Sequence, residues 1–536
     1  MRTESDRRLV PAVAYMVGPS ANRPSSHRAW YSAVIPRRRP LNTLVISGFL
    51  SVLFVGHGAG LAATARTGSV DRPSVHYVAI NGSDAGSGTA DQPWATINHA
   101  AEQAQAGDKI IIRGGHYMLP AQVQVRNSGR PDAWIVFAGY PGEKPILDAQ
   151  TVARSSMFHG RPVIQGFDNG AFQIEGVSYI RIENLSLVHS QDAGFTVRDS
   201  SNIDLINNLT RETFSSGIAA WDTNHQGNTT RHIRIIGNKI EKPTSWDAAS
   251  PDEPRSDVAP QEALSIAGAV DFEVAYNKVY DSDEGGIDIK ETSKQGKVHH
   301  NFVHGVGLGI YVDAWFGTLS DVKIFSNVVE HCKTAGIAVA VEQGQAVSNI
   351  DIHRNLVFNN LGSGLYFPRW GANSERTNIQ VRNNTFYHNG YGPPSDHQEL
   401  YWMTGGLYLY SSNLRDITVK NNIFSKNRAF QIGYSELYLQ DSETWQRAAR
   451  EKNIVITKNL IDQVDAAASP IESGGAPIDK VKIYPVSGEH AIFGDPKFKD
   501  PTADDFTLQS GSPAVVGGVA VGAYPFGARA NLWWKR

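Results

Sequence analysis

Cysteine is nearly absent: Cys332 is the only one among 536 residues. That excludes an internal disulfide framework and any zinc site built from several thiolates, and leaves Cys332 as a small residue expected in the interior. An excess of one charge sign is missing too. Fifty Lys and Arg against 53 Asp and Glu leave a formal net charge of -3, so no polybasic field points to nucleic acid or anionic lipid. Long apolar runs are also scarce. The run from Leu41 to Val55 covers about fifteen positions, short of the roughly twenty of a membrane helix, so stable membrane insertion is not expected. It follows Arg37-Arg38-Arg39 and precedes Leu61-Ala62-Ala63-Thr64-Ala65, the order of an export signal with an A-x-A cleavage site. Residues 1–65 are therefore expected to be an export segment, and the mature protein to be extracellular or periplasmic.

What is abundant is repetition. An apolar, any, apolar, any, any, Asn phrase recurs at Asn208, Asn238, Asn277, Asn327, Asn355, Asn384, Asn422 and Asn459, and at Asn301 with Gly296 in the first apolar place. Between Asn277 and Asn355 the spacings are 24, 26 and 28 residues, the period of a solenoid coil. The amides are expected to stack as an internal ladder, satisfying backbone groups at one turn of every coil.

A second column begins with glycine: Gly194-Phe195, Gly217-Ile218, Gly286-Ile287, Gly309-Ile310, Gly336-Ile337, Gly364-Leu365 and Gly406-Leu407, with Ala263-Leu264 as a variant. Alternate residues of a strand leave opposite faces. Stacking these strands writes out one outward column as Thr196, Ala219, Ser265, Asp288, Tyr311, Ala338, Tyr366 and Tyr408. The next outward column reads Arg198, Trp221, Ala267, Lys290, Asp313, Ala340, Pro368 and Tyr410.

Upstream, His76 to Asp84 reads as a strand and a Gly/Asp/Ser loop, Pro93-Trp94-Ala95-Thr96-Ile97 leads into a helix, and Gly107 to Tyr117 reads as a strand ended by a glycine turn. This unit resembles the N-terminal signature of secreted right-handed parallel β-helix proteins, a group that includes pectate lyase-like polysaccharide lyases and several glycoside hydrolases. The ending, from Phe493-Gly494-Asp495-Pro496 to Val521-Gly522-Ala523, is similar to theirs as well. The expected fold is all-β: a right-handed parallel β-helix with a small helix-bearing N-terminal cap. After the export segment come a cap and first coils at 66–145, coils with inserted loops at 146–480, and a last coil and cap at 481–536. No separate binding module stands out, and a monomer is expected.

The outward columns also locate a candidate site. Ser265 and Ala267 precede Asp288 and Lys290 by one coil, while Ala338 and Ala340 follow Tyr311 and Asp313. Small residues on both sides put the polar four in a depression, with Trp221 beyond one rim and Tyr366, Tyr408 and Tyr410 beyond the other. Aromatic walls over a charged floor suit a sugar chain; ordinary cross-strand aromatic pairs are the competing account. Lys290 and Asp313 share a column about 4.8 Å apart, which fits a salt bridge or a catalytic pair. Asp288 and Asp313 lie on a diagonal of about 8 Å, compatible with the paired carboxyls of either a retaining or an inverting glycosidase, with Glu342 as a reserve carboxylate.

Glu262, Asp283, Glu284 and Asp288 resemble the calcium site of pectate lyases in this group, although Asp283-Glu284-Gly285-Gly286-Ile287-Asp288 is one residue longer than the Asp-Asp-Gly-apolar-Asp phrase of those enzymes and Glu262 stands where an Asp is expected. The resemblance implies Ca2+ as cofactor, β-elimination on a uronate-containing glycan, Lys290 or Tyr311 as the base, and Arg369 as a uronate partner. The expected function is a secreted lyase of this kind; the alternatives are a hydrolase using Asp288 and Asp313, and a glycan-binding solenoid without catalysis. His299, His300, His304 and His331 cluster on the turn side of the same coils and read as stacked turn residues more than as ligands.

Overall fold

Alternation builds the first strand of each coil. In Thr318–Phe325 the buried Leu319, Val322 and Ile324 face inward while Asp321 and Lys323 face solvent. A left-handed residue, Ser326 at φ 55°, then turns the chain, Asn327 follows, and Val328–Glu330 starts the second face. Ile337–Val341 forms the third. The computed structural model describes residues 74–153, 157–158, 161–162, 169–244, 261–392, 404–435, 445–462, 483–516 and 518–524, and within them this unit repeats as a parallel β-helix. Three sheets result, of thirteen, thirteen and twelve strands among the described residues. The first runs from Val75–Val78 to Ile454–Thr457, the second from Gly115–Met118 to Ile492–Phe493, and the third from Val123–Gln124 to Ile483–Pro485. The strand stacks begin within 66–145, the stretch expected to hold the cap and first coils. Residues 1–65 lie outside the described residues.

The Asn column is the ladder that its spacing predicts. Asn301 Oδ1 accepts the backbone N–H of Asn277 at 3.0 Å and its side-chain amide at 3.0 Å, while Asn301 Nδ2 donates to Val274 O at 2.9 Å and to Asn327 Oδ1 at 3.0 Å. The same bonds repeat from Asn208 to Asn459. Before each Asn stands a residue with φ between 52° and 70°, as at Asn207, Gly237, Tyr276, His300 and Asn421. Side chains other than glycine rarely adopt that conformation, so the amide bonds offset a local strain at every turn. Asn360, Asn389 and Asn427 form a second, shorter ladder after the second sheet, and its first amide accepts the Cys332 N–H.

The leading glycines of the third sheet mark a close approach. A Cβ at Gly286 would lie 2.6 Å from Val303 Cγ1 and 2.7 Å from Gly309 O. At the first end, Ile97–Gln103 is a helix whose N-cap Thr96 accepts the His99 N–H, and its Ile97, Ala100 and Ala101 cover the core. At the other end Ile483–Pro485 pairs antiparallel to Ile432–Ser435. The hairpin of Phe498–Asp500 and Asp505–Leu508 folds back on the second sheet, with Phe506 against Phe358 and Tyr387. Cys332 is buried, and burial pushes its thiol up out of reach of ionisation. Among the described residues no helix is long and apolar enough to cross a membrane.

Candidate active site

Register places the polar residues of the third sheet as the alternation predicts. Ser265 pairs with Asp288, Asp288 with Tyr311, and Tyr311 with Ala338; in the next column Ala267 pairs with Lys290, Lys290 with Asp313, and Asp313 with Ala340. The strands concerned are Leu264–Ala267, Ile287–Lys290, Ile310–Ala314 and Ile337–Val341, whose other face is packed in the core.

Lys290 turns back toward the preceding coil. Its ammonium donates to Glu262 Oε2 at 2.6 Å and to Gln261 Oε1 at 2.7 Å, and lies 3.3 Å from Asp288 Oδ2. Below it the Trp221 ring is 5.6 Å away, near enough for a cation–π contact. Ser265 Oγ donates to the same Glu262 oxygen at 2.9 Å. The spacing of Lys290 and Asp313 leaves a salt bridge or a catalytic pair open, but Lys290 pairs elsewhere: Glu262, on the approach to the earlier strand, brings its carboxylate over the ammonium. Asp313 Oδ1 instead accepts the backbone N–H of Glu342 at 3.1 Å.

At the other end Tyr311 donates its hydroxyl to Glu342 Oε1 at 2.6 Å and meets Trp370 edge-on at 5.7 Å. The loop carrying Trp370 is pressed against the backbone of Glu342. Gly371 has φ 55°, and a Cβ there would lie 1.9 Å from Glu342 O, so only glycine allows this approach. Arg376, with no exposed surface, donates to Val339 O, Pro368 O and Asn373 Oδ1 and thereby fixes the loop.

Of the four carboxyl groups of the site, Glu262 and Asp288 pair with its one ammonium, which sets the electrostatics. Asp288 and Asp313 are 1 % and 3 % exposed. Burial, then the Glu262 charge, holds Asp288 well above the usual carboxylate range, with Lys290 opposing. Burial, then Glu342 and Asp288, does the same to Asp313. At Glu262, burial raises the pKa, but the Lys290 ammonium overcomes it and leaves the group below its ordinary value. Tyr311 is pushed well above its ordinary value by burial, Asp313 and Glu342, and stays a proton donor. The site thus holds proton-bearing carboxyls beside an ion-paired one, the separation that acid–base chemistry uses. Asp288 Oδ1 is buried without a hydrogen-bond partner.

Several expectations need correction. Glu262, Asp283, Glu284 and Asp288 do not form a calcium cage: the Lys290 ammonium occupies the space between Glu262 and Asp288, while Asp283 is 57 % exposed and pairs with Lys333 at 2.9 Å. Glu284 is part-buried in the turn before Gly285. With Asp283 turned to Lys333 and the ammonium between Glu262 and Asp288, these four residues do not fit the ion. The aromatic walls are not open either. Trp221, Tyr366, Tyr408 and Tyr410 are 1 %, 1 %, 0 % and 2 % exposed. The tyrosines pack with Phe430 and Ala338 as a closed cluster, with the Tyr366 and Tyr408 rings 5.6 Å apart, so the alanine depression is filled from within. Arg369 is exposed on the loop beside Trp370. Glu342, Tyr311 and Trp370 are part-exposed and form one open rim; Gln261, Glu262 and Lys290 form the other.

Gln261, Trp370 and Arg376 carry no motif and were not singled out by the repeat. Their signal was position alone: Gln261 just before a Glu on the site's column, Trp370 and Arg376 around a glycine turn one coil beyond Glu342.

The family model described as "Right handed beta helix region" matches residues 169–373 and 344–444, and one described as "Pel9A-like, right handed beta helix region" matches 76–259. A Bacillus subtilis protein named "Uncharacterized protein YwoF" is 27 % identical over 473 residues, covering 82 % of this chain and 91 % of that one. Pectate lyase PEL9 of Emericella nidulans is 29 % identical over 168 residues, 30 % of this chain and 39 % of that enzyme. Among solved structures, pectate lyase Pel9A overlays with a TM-score of 0.45 at 13 % identity, covering 85 % of this chain and 98 % of that one. The endo-xylogalacturonan hydrolase of Aspergillus tubingensis gives 0.46 at 11 %, covering 78 % and 100 %.

Proposed function

Since this chain belongs to the right-handed β-helix family, in the pectate lyase-like superfamily whose members are carbohydrate-active lyases or hydrolases, we propose that it is a glycoside hydrolase acting on a polysaccharide through the carboxyls of its third sheet. The carrying observation is the contact of Asp313 with Glu342 across adjacent coils: a buried carboxyl, held well above the usual carboxylate range, accepts the backbone N–H of Glu342, whose side chain receives the Tyr311 hydroxyl. Asp313 gives its proton to the glycosidic oxygen as the bond to the anomeric carbon breaks. Glu342 faces the positive charge that develops there, and water completes the exchange. Burial and the neighbouring Glu342 favour the acid form of Asp313. Trp370, at the open rim, offers an apolar face to a sugar ring.

The Pel9A-like match ends at residue 259, before Glu262, so it supports the scaffold and leaves the chemistry to be read from the site. Lys290, clamped by Glu262 and Gln261, is poorly placed as a base for elimination. The lyase remains the second reading, favoured by the similarity to pectate lyase PEL9 and by Tyr311 as a proton donor to the leaving oxygen. Incubation with a panel of neutral and uronate glycans, with and without chelator, separates the two. New reducing ends without ultraviolet-absorbing unsaturated ends, insensitive to chelator, are the expected result; unsaturated ends overturn hydrolysis in favour of elimination. Export and a monomeric state belong to the same proposal, and N-terminal sequencing of secreted protein, with cleavage after Ala65 expected, tests the first.

A further inference from the structure

The second sheet carries a different cluster, on a face away from the candidate active site. His304 and Glu330 are register partners on adjacent coils, at the ends of Phe302–His304 and Val328–Glu330. His331 follows Glu330 in the left-handed conformation, φ 54°, which swings its ring back over the strand end. As a result Glu330 holds an imidazole on each oxygen: His304 Nδ1 is 3.1 Å from Oε1 and His331 Nδ1 is 3.4 Å from Oε2. The two rings are 5.1 Å apart, centre to centre. One ligand atom from each of the three lies within 4.8 Å of the others.

Burial separates the parts. Glu330 is 10 % exposed at its side chain, while His304 and His331 are 36 % and 53 % exposed. The carboxylate is therefore a fixed floor and the imidazoles are adjustable arms open to solvent. The surroundings are anionic: besides Glu330, the carboxylates of Asp281 and Asp504 raise the pKa of His304. Asp281 approaches across Gly305, where a Cβ would lie 2.9 Å from Asp281 Oδ1. Asp504 comes from the C-terminal hairpin that folds back over this sheet.

We propose that His304, Glu330 and His331 bind a divalent transition-metal ion of the zinc class. Two imidazole nitrogens and one carboxylate oxygen are the donor set that such ions take in three-residue sites, with further positions open to water. Metal bonds of about 2.0 to 2.2 Å need the ligand atoms about 3.3 Å from one another, which rotation of the two exposed imidazoles supplies. The ion ties adjacent coils together at the point where the C-terminal hairpin lies against the sheet, and offsets three carboxylates there.

The test uses the full chain without a histidine tag. Zinc titration by calorimetry and metal analysis after dialysis should show one equivalent bound, and cobalt substitution should give visible d–d bands. His331→Asn, which keeps a residue tolerant of the left-handed turn, should weaken binding by more than the roughly 10- to 100-fold that loss of an outer-shell partner costs, and His304→Ala/His331→Asn should remove it and the cobalt bands. Asp288→Asn should leave both unchanged. Equal binding by the double variant, or no binding by the parent chain, overturns the proposal and leaves the trio as hydrogen-bonded ion pairs alone.

Discussion

Replacing Asn301 by Ala tests the ladder that sets the register of the whole coil. The amide is fully buried and makes four hydrogen bonds: two accepted from Asn277, one donated to Val274 O and one to Asn327 Oδ1. Its loss leaves the Asn277 backbone N–H and one Asn277 side-chain N–H buried without partners, and takes one of its bonds from the Val274 carbonyl. At about 1 to 3 kcal/mol for each unsatisfied group, and with partial relaxation, the expected cost is about 2 to 4 kcal/mol. Most of it should appear in the coils on either side, since a solenoid transmits such losses between neighbours. Urea unfolding of the full chain measures the free energy, and hydrogen exchange at the Asn277 amide measures its location. Lys323→Ala, on an exposed strand position, is the control and should stay within about 0.5 kcal/mol. If Asn301→Ala is no worse than that control, the amides are passengers and the turn is held by backbone packing.

Asp313→Asn should lower kcat by at least about 100-fold while leaving glycan binding in place, since it removes the proton donor and little else; unchanged turnover refutes the assigned role. Stability should fall with rising pH through the same groups. Asp288 and Asp313 are held well above their ordinary range in the fold, while unfolded carboxyls of this kind ionise near about 4, so the unfolded state gains as pH rises above about 4 and until the folded groups ionise. The Asp288→Asn/Asp313→Asn variant should therefore gain melting temperature relative to the parent over that window, and a difference that is flat or reversed with pH contradicts it. Glu262→Gln removes the charge facing Lys290 and should cost about 1.5 to 3 kcal/mol in urea unfolding. Gly371→Ala should lower kcat/KM with the circular dichroism spectrum retained, because its Cβ would collide with Glu342 O; full activity would show that the Trp370 loop does not set the position of Glu342.

The repeat was legible because its rules are local. Asn at a left-handed turn, glycine where Val303 presses on the backbone, and strict alternation from Leu264 to Val341 are each readable from a few residues, and the register of Asp288, Tyr311, Lys290 and Asp313 followed from counting. Choices among nearby partners were not. Lys290 reaches two coil neighbours equally well by spacing, and the pairing with Glu262 depends on the path of the chain before Leu264. Tyr366 and Tyr408 alternate outward as expected, yet packing with Phe430, distant in sequence, closes them off. The His304, Glu330 and His331 convergence depends on the left-handed turn at His331, which sets ring direction and leaves no mark in a count of residues.

The fixed turn between the first and second sheets has a consequence for how such a chain can change. One left-handed residue and one Asn separate these sheets in coil after coil, whereas coil length varies between 24 and 39 residues across the ladder. All of that variation falls at the other two corners, which border the third sheet and its carboxyls. The molecule behaves like a ruled page with one bound margin: new text can be inserted along the free edges without moving any line. Insertions grafted after Glu241 or Tyr387 should thus reshape what reaches the Asp313 face while the ladder keeps every strand in register.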